Sequence, residues 1–473
     1  MDLRLLLQVL SLRAAGRRRE QWDPVRIAAY QEQALKRLRE AAYAGSAFYR
    51  RHHAGLRNAP LGDLPPVSKA DLMDNFGEAV TTPELGLADL EQHLRALTES
   101  SGDPGRPFRG RWWVAATAGT TGRSGVFAWN RSEFASVLAS YARAGDWAGI
   151  SPGPGRPMRV ALVSSRVPTH QSAVVGASAN SRFVPTLRLD VTAPMDRTVA
   201  ALNRFQPRVL VGYASALAPL AAEQRDGRLR IAPEGVMSTS EVLTPQAAAG
   251  MRDAWGSAPF DVYAATETAG IASPCPYRNR HVYEDLVIVE PVDSAGQVVP
   301  AGSTGAKLLV TVLFSRTLPL IRYEMSDTVR LGGRGCPCGR SLRILEEVEG
   351  RVEDVLTLPG QEGPVRLHPL VFHDVLGDVS TGGWQVIQES SGLRILIAGR
   401  TPGHSPDNIR AAVETALAAA GASPLPIVVE PVDRLERTAL GKAPFVRALR
   451  NQRWGVGGQV PSHPTVRRRR GSC

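Results

Sequence analysis

The chain has little of what defines several protein classes. It holds 4 cysteines among 473 residues, too few for the disulfide framework of a small secreted protein. No run of about 18 apolar residues occurs, so no membrane-spanning helix and no membrane partner are expected. Hydrophobic residues make up 43% and charged residues 21%, which excludes a disordered or collagen-like chain. We therefore expect a reduced, cytoplasmic, globular protein of several domains.

Lysine is also scarce, because nearly all the basic side chains are arginines. A lysine ammonium differs from the planar arginine fork when it acts close to chemistry, so each lysine in such a chain is a candidate for a specific role. One of them follows a Gly-led loop near the C-terminus. The lysines are Lys36, Lys69, Lys307 and Lys442.

Much of the net charge of +11 lies at the two ends of the chain. Residues 1–20 are rich in arginine, and residues 467–470 are an uninterrupted arginine run. No aromatic residue lies within this run, which disfavours base stacking, and we expect no nucleic-acid partner. Residues 454–473, rich in Gly, Pro, Ser and Arg, are predicted to be a disordered basic tail.

Apolar strand-like segments alternate with helical segments through the middle of the chain. Asp23-Pro24 predicts the start of a helical stretch that continues to about residue 52. The predicted strands and helices are strand 159–165, helix 195–206, strand 207–213, helix 214–225, strand 234–240, helix 245–255 and strand 260–266. A strand-rich zone follows at 286–292, 306–313 and 327–333.

Residues 384–431 repeat strand, strand, helix and strand on a smaller scale. We therefore predict an α/β fold whose large N-terminal α/β body, residues 1–350, has mainly parallel sheets and begins with helices to about residue 56. A small α+β C-terminal domain, residues 351–453, is predicted to follow on a hinge.

A loop of three glycines and three threonines, residues 117–125 (TAGTTGRSG), lies between two apolar segments. Glycines allow successive backbone N–H groups to point inward, and hydroxyls add donors, so this loop has the chemistry to hold nucleotide phosphates. It is not a P-loop, because no Gly-Lys-Ser/Thr follows. A tight hairpin is the alternative.

Three further segments carry candidate nucleotide contacts. Residues 263–268 (YAATET) end a predicted strand, where ligands of open α/β sheets bind. Tyr263 has a ring to stack on a base, and the Glu267 carboxylate suits Mg²⁺. Asp327 precedes a strand and has two oxygens for the hydroxyls of a ribose. Residues 350–354 (GRVED) lie where the pattern of the chain changes, which indicates a hinge. The alternative for residues 263–268 is a capped strand end, and the alternative for residues 350–354 is ordinary surface.

These segments, with residues 437–442 (RTALGK), occur in one order and at one set of spacings. On them the chain resembles the adenylate-forming superfamily of acyl-CoA synthetases, peptide-synthetase adenylation domains and luciferases. Within it, the chain looks like the phenylacetate-CoA ligase and CapK-like branch, over about residues 20–450. Four positions depart from the family pattern: Gly125 stands where a lysine is common, Ala264 replaces a commoner glycine, and Met325-Ser326 replaces Thr-Gly.

The resemblance implies ATP-dependent activation of a small carboxylic acid, aryl or short acyl, as acyl-AMP. An acceptor then displaces AMP; CoA is the acceptor we expect, and an amine or a carrier-protein thiol is the alternative. ATP, Mg²⁺ and CoA are the implied cofactors and co-substrate, and a homodimer is compatible with the family. A catalytically silent, partner-binding relative is the competing class, against which the intact Glu267, Asp327 and Lys442 argue.

The resemblance also assigns roles to residues. Lys442, Glu267 and Thr266 are expected to act in catalysis, with Glu267 also holding magnesium, and Asp354 is the expected hinge pivot. The expected nucleotide-binding residues are Thr117, Gly119, Thr120, Thr121, Gly122, Arg123, Ser240, Glu241, Tyr263, Asp327 and Arg351.

The sequence indicates the residues of the acyl pocket less specifically, because each candidate is equally compatible with a position in the packed core. It is predicted at a strand–helix joint and at the end of a neighbouring strand, with Trp147 and His170 as additional candidates. The predicted residues are Gly212, Tyr213, Ala214, Ser215, Ser238 and Thr239.

A second constellation is formed by Cys275, His281, Cys336 and Cys338. Three thiols and one imidazole make a full tetrahedral zinc set, so a structural zinc with no open ligand position is predicted. The alternative is three unlinked, reduced cysteines, because C-x-C spacing is less diagnostic than C-x₂-C.

Overall fold

The computed structural model describes residues 2–100, 102–117, 124–151, 155–351, 355–361, 363–367, 369–377, 379, 383–399, 401, 403–438 and 442–449. In chain order, the helices are α1 (Leu3–Arg19), α2 (Pro24–Gly45), α3 (Ala47–His52), α4 (Lys69–Asp74), α5 (Phe76–Ala79), α6 (Leu87–Glu99), α7 (Arg131–Trp147), α8 (Gln171–Ala179), α9 (Met195–Phe205), α10 (Ala214–Arg225), α11 (Pro245–Trp255), α12 (Leu370–Leu376) and α13 (Pro406–Ala419).

The strands are β1 (Trp113–Ala116), β2 (Val126–Trp129), β3 (Val160–Ser164), β4 (Thr186–Asp190), β5 (Val209–Gly212), β6 (Gly235–Thr239), β7 (Phe260–Ala265), β8 (Ala269–Pro274), β9 (Arg280–Val282), β10 (Val287–Val292), β11 (Lys307–Val312), β12 (Tyr323–Met325), β13 (Asp327–Leu331), β14 (Leu345–Arg351), β15 (Leu356–Leu358), β16 (Val365–Leu367), β17 (Trp384–Gln388), β18 (Leu393–Ala398), β19 (Ile427–Val432) and β20 (Val446–Arg447).

A seven-stranded sheet forms the centre of the large body, in the order β4-β3-β5-β6-β7-β8-β9. Strands β4 to β7 pair in parallel, and β8 and β9 continue the sheet antiparallel. On one face Val163, Leu210 and Val236 pack with helix residues such as Leu217 and Met251. The predicted α/β fold with a mainly parallel sheet is confirmed, and the predicted strands are found within a few residues of their expected ends.

Capping residues set the starts of the predicted helices. The Asp23 side chain accepts a hydrogen bond of 2.9 Å from the Arg26 amide, and Pro24 is the first residue of α2. The predicted helical stretch to about residue 52 is found as two helices, α2 and α3, which are separated at Ser46. Ser46 adopts an extended conformation, φ −110° and ψ 118°, and its hydroxyl caps α3 through the Tyr49 amide. Its capping preference outweighs the helical apolar spacing there.

The C-terminal region has a hydrophobic core of its own, from Leu356 to Val446. Its four-stranded sheet has the order β19-β18-β17-β20, and residues of α12 and α13 pack on it. The domain boundary that we predicted at residue 350 lies near the end of β14 and stays a prediction. The predicted disordered tail, residues 454–473, lies outside the described residues.

No helix within the described parts of the chain combines the length and the apolar character that crossing a bilayer requires.

A buried ionic cluster ties α1 to the large body. The Arg143 guanidinium donates to both carboxylate oxygens of Asp285, at 2.6 and 2.9 Å. Arg19 of α1 also contacts Asp285, and Glu20 lies 3.8 Å from Arg143. Burial opposes ionisation of Asp285, but the arginines outweigh it and lower the pKa of its carboxyl below the usual 3.8.

We expect Asp285→Asn to lower the free energy of unfolding by about 3–5 kcal/mol, because it leaves the Arg143 charge buried without its partner. A carboxylate with a lowered folded-state pKa stabilises the fold above its unfolded pKa, and this stabilisation is lost as the pH falls. The difference in unfolding free energy between the variant and the wild type should therefore be largest at neutral pH and should shrink below pH 3.8. Urea denaturation at several pH values measures it.

Asp226→Asn is the matched control, because Asp226 forms an exposed ion pair with Arg228. Exposed pairs contribute about 0–1 kcal/mol. An equal loss of unfolding free energy in the two variants would contradict the assignment of the buried cluster as a determinant of stability.

Candidate active site

One large cavity, about 2270 Å³, lies at the carboxyl ends of β6 and β7 and continues between the large body and the small C-terminal region. It is lined both by residues that follow the central strands and by residues of the C-terminal region. The predicted site residues among those lining it are Thr117, His170, Thr239, Ser240, Glu241, Tyr263, Thr266, Glu267, Asp327 and Lys442.

The predicted phosphate loop leaves the sheet through Thr117 and returns through Gly125. The Thr117 amide donates to the Gly125 carbonyl at 2.8 Å, and the Gly125 amide donates to the Thr117 hydroxyl oxygen at 2.7 Å. These two bonds close the base of the loop between β1 and β2. The remaining predicted loop residues, Gly119, Thr120, Thr121, Gly122 and Arg123, lie outside the described residues, as does the predicted hinge residue Asp354.

Thr266 and Glu267 lie in the turn between β7 and β8, directly beyond the carboxyl end of β7. The Gln171 side chain donates to the Thr266 carbonyl at 2.8 Å, and the Tyr141 hydroxyl donates to Gln171 at 2.5 Å. Burial raises the pKa of Tyr141, and the Glu267 charge adds to this shift. Sequence reasoning missed Gln171 and Tyr141, because nothing in their own segments indicates a contact with this turn.

Asp327 is the first residue of β13 and lines the cavity. Its backbone pairs with that of Arg351 in the antiparallel β13–β14 ladder. The two predicted nucleotide-binding positions are therefore brought side by side, although they are 24 residues apart in the sequence.

Glu241 joins the two parts of the molecule. One carboxylate oxygen accepts a hydrogen bond of 2.9 Å from the Ser215 amide, and the other accepts one of 2.9 Å from the Ala443 amide of the C-terminal region. Arg437 donates across the same junction to the Ser215 hydroxyl at 3.2 Å. Sequence reasoning expected Glu241 to bind the nucleotide and did not foresee this contact.

The same contacts place Lys442 at the cavity, since Ala443 directly follows it. The Thr438 amide donates to the Lys442 carbonyl at 2.8 Å, and the Lys442 amide donates to the Thr438 hydroxyl at 3.2 Å. Burial lowers the pKa of His170 to about 3, and the positive charge of Lys442 contributes to this shift. His170 is therefore neutral at physiological pH, and the Lys442 ammonium acts on the same part of the cavity.

Of the six residues predicted for the acyl pocket, only Thr239 lines this cavity. Tyr213 is fully buried, and its hydroxyl accepts a hydrogen bond from the Ser165 amide. Ser238 is fully buried, and it faces the other side of the sheet from Thr239 because neighbouring residues of a strand alternate in direction. Trp147 lies edge-on against His281 and Tyr283, away from the cavity. The predicted residues that do not line it are Gly212, Tyr213, Ala214, Ser215 and Ser238.

The predicted metal ligands come together in space. The ligand atoms of Cys275, His281, Cys336 and Cys338 all lie within 4.8 Å of one another. The Cys275 and Cys336 sulfurs are 3.6 Å apart, and the Cys338 sulfur lies 3.3 Å from Nε2 of His281. The Leu342 carbonyl contacts Nδ1 of His281 at 3.1 Å, which leaves Nε2 directed at the thiols. The cluster joins the β8–β9 connection to the segment after β13.

Comparison with known proteins gives phenylacetate-coenzyme A ligases and a CapK protein among the relatives. No family model matches the chain. It is 26% identical to phenylacetate-coenzyme A ligase of Thermus thermophilus over 74% of this chain and 75% of that protein. It is 26% identical to the Pseudomonas putida ligase of the same name over 72% and 75% of the two chains. It is 23% identical to protein CapK of Staphylococcus aureus over 58% and 54%.

Solved structures share the fold along nearly the whole chain. 2-Hydroxyisobutyryl-CoA ligase in its postadenylation state matches with a TM-score of 0.70 at 20% identity, over 92% of each chain. The same ligase in its thioesterification state matches with a TM-score of 0.56 at 19% identity, over 91% of this chain and 92% of that one. The chain has the fold of the adenylate-forming ligases, and its sequence is related to their phenylacetate-CoA ligase-like branch, as its motifs predict.

Proposed function

We propose that this protein uses ATP to convert a carboxylic acid into its acyl-AMP and then transfers the acyl group to CoA. The observation that carries the proposal is the position of Lys442. Its loop belongs to the C-terminal region, yet it is held at a cavity that Tyr263, Thr266, Glu267 and Asp327 line from the large body.

The chemistry explains why such a site needs an ammonium. A carboxylate is a poor acylating agent, and attack on the α-phosphate of ATP makes its oxygen part of a good leaving group. Both reactants are anionic, so a cation between them offsets their repulsion in the transition state. Lys442 would supply that charge, and neutral His170 beside it does not compete for the anions. Tyr263 would stack on adenine, and Asp327 would accept the ribose hydroxyls.

The turn after β7 fits a magnesium ion. The hydroxyl of Thr266 and the carboxylate of Glu267 are hard oxygen donors of the kind that Mg²⁺ prefers, and both residues line the cavity. When bound, Mg²⁺ would neutralise phosphate charge. Tyr141 and Gln171 would hold the turn in position through the Thr266 carbonyl.

Transfer of the acyl group to CoA requires Lys442 to move away from the cavity. Thr438 and Lys442 line the cavity while the Glu241–Ala443 and Arg437–Ser215 hydrogen bonds hold the C-terminal region there. Rotation of the C-terminal region about the predicted hinge at Asp354 would break these bonds and open the site to the thiol. The nearer match to a postadenylation structure supports assigning the present arrangement to the first half-reaction.

Pyrophosphate release tests the proposal. The purified protein is incubated with ATP, Mg²⁺ and a panel of carboxylic acids, each with CoA, with an amine or with no acceptor. We expect acid-dependent pyrophosphate release and formation of a thioester only with CoA. Formation of an amide instead of a thioester would identify an amine as the acceptor. A carrier-protein thiol is tested as the acceptor in the same way. No pyrophosphate release with any acid would contradict the proposal.

We expect Glu241→Ala to slow acyl-AMP formation about 10- to 100-fold, because a hydrogen bond to a charged group contributes about 1.5–3 kcal/mol. Thioester formation from synthetic acyl-AMP should not slow, since the loop has left by then. The two half-reactions are measured separately. Glu223→Ala is the matched control, because Glu223 pairs with Arg228 and neither of these two described residues lines the cavity. Equal slowing of both half-reactions would exclude a conformational role for Glu241.

We further propose that the Cys275, His281, Cys336 and Cys338 cluster binds a structural zinc ion. Sulfurs on a tetrahedral zinc with bonds of 2.3 Å are roughly 3.8 Å apart, and Cys275 and Cys336 are 3.6 Å apart. When bound, zinc would crosslink two segments of the large body and take no part in the reaction. Because the ligands are thiolates, we place the protein in the reducing cytoplasm.

A further inference from the structure

The cavity does not end at the reacting groups. Beyond Thr239 and Ser172 it continues between the central sheet and helices α7 and α8, and this branch is called the apolar channel. Its sheet side is formed by Val160, Leu162, Val209, Val211 and Met237.

Strand register places these side chains on one face. Leu162 is paired with Val211, and Val211 with Met237, across three neighbouring parallel strands. Paired residues of a parallel sheet point to the same side, and so do alternate residues along a strand. Val160 and Val209 form the adjacent row. The channel wall is thus a continuous apolar surface on the central strands.

Burial shows that open space lies against part of this wall. Val209 and Met237 are 3% and 6% exposed and pack with Ala144 and Ile150, whereas the other three wall residues are half-buried. On the opposite face of the same strands, Ala161 and Leu210 are 0% exposed and Val163 is 3% exposed. Val160, Leu162 and Val211 are only half-buried, although they lie inside a seven-stranded sheet that has helices on both faces. Apolar side chains in such a position would normally be packed against the covering helix.

The helices leave that space because small or short side chains face it. Ala142 of α7 and Ser172, Val175 and Ala179 of α8 line the cavity and are half-buried. The α8 residues recur at helical spacing along one face of the helix. The polar member, Ser172, is at the end nearest the reacting groups, where its hydroxyl contacts His170 at 2.8 Å. The channel therefore becomes apolar with distance from the reacting groups.

The channel is long. Met158 to Leu162 on the β3 side spans roughly 13 Å at about 3.3 Å per residue. At its far end it is lined by Leu6, Val9 and Leu10 of α1, and charged residues are at this rim, among them Arg13 and Arg156. A single aromatic ring placed beside Thr239 would leave most of this length unfilled.

We propose that the acid activated here has an extended apolar body, an alkyl or arylalkyl chain, that runs through the apolar channel toward α1. The inference rests on the proposed function, since the carboxylate at the head of this chain is the group that is adenylated. Each buried methylene stabilises the bound acid by an amount that corresponds to about a fourfold gain in kcat/KM.

The test compares butyrate, octanoate and dodecanoate, and phenylacetate with phenyloctanoate, by pyrophosphate release. We expect kcat/KM to rise with chain length. Ala142→Phe places a ring in the channel and should lower kcat/KM for dodecanoate on the order of a hundredfold more than for butyrate. Val175→Phe is a second blocking variant, and Ala200→Phe, at an exposed position of α9, is the matched control that should change neither.

The outcomes separate the two proposals. Calorimetry with octanoate and no ATP measures occupation of the channel without any reaction, and binding that Ala142→Phe weakens supports the inference. Activity with butyrate and phenylacetate that does not rise with chain length would overturn the inference and leave the proposed function intact. Octanoate binding without pyrophosphate release from any acid would support the channel and contradict adenylation.

Discussion

Lys442→Ala is expected to reduce acyl-AMP formation about 10²- to 10³-fold, the usual loss when one oriented transition-state donor is removed. The reason is geometric: the loop is held at the cavity through the Ala443–Glu241 bond, so the ammonium can lie between the substrate carboxylate and the α-phosphate. Conversion of synthetic acyl-AMP to the thioester should continue at nearly the normal rate, because the loop has moved away in that half-reaction.

The separation of the two half-reactions is what distinguishes this role from general damage. Lys442→Arg should recover little activity, because the planar guanidinium is bulkier than the ammonium it replaces. Lys36→Ala is the matched control, since Lys36 is exposed on α2. Normal pyrophosphate release by Lys442→Ala would make Lys442 a surface lysine and remove the catalytic role of the C-terminal region.

Removal of the cysteine cluster should have the second large effect. The purified protein is expected to carry close to one equivalent of zinc, measured by plasma mass spectrometry. Cys336→Ser combined with Cys338→Ser should abolish zinc binding and cooperative unfolding. Binding free energies of structural zinc are about 10–16 kcal/mol in small peptides, which is comparable to the whole stability of a domain, about 5–15 kcal/mol.

The matched control is Cys473→Ser, which removes the cysteine that is not among the proposed zinc ligands. It should keep both zinc and the unfolding transition. Two results together would overturn the zinc assignment: a purified protein without metal, and rapid alkylation of Cys336 and Cys338 under native conditions.

The order of motifs along the chain was sufficient to predict the fold class and the relatedness to adenylate-forming ligases. Such motifs are local, because a glycine-rich turn, a strand end or a Gly-led lysine loop depends on neighbouring residues alone. The clustering of Cys275, His281, Cys336 and Cys338 was also predictable, because the number and type of donors match what zinc requires.

Other features depended on residues far apart in the sequence. The Glu241 contact with Ala443 and the Gln171 contact with Thr266 join segments 202 and 95 residues apart, and nothing local to either partner indicates them. Trp147 was a candidate for the acyl pocket and instead packs against His281 and Tyr283, because the rotation of α7 decides which of its faces meets the cavity.

The sequence by itself determined the elements, the ligand types and the chemistry that each motif can perform. Only the tertiary structure decided which sheet face is packed and which is open. Ala161 and Leu162 are adjacent apolar residues on opposite sides of the sheet, and only Ala161 is fully buried. It also decided that the Lys442 loop rests on the large body. The physical reason is that side-chain chemistry is a property of single residues, whereas open space and domain contacts arise from how distant segments pack.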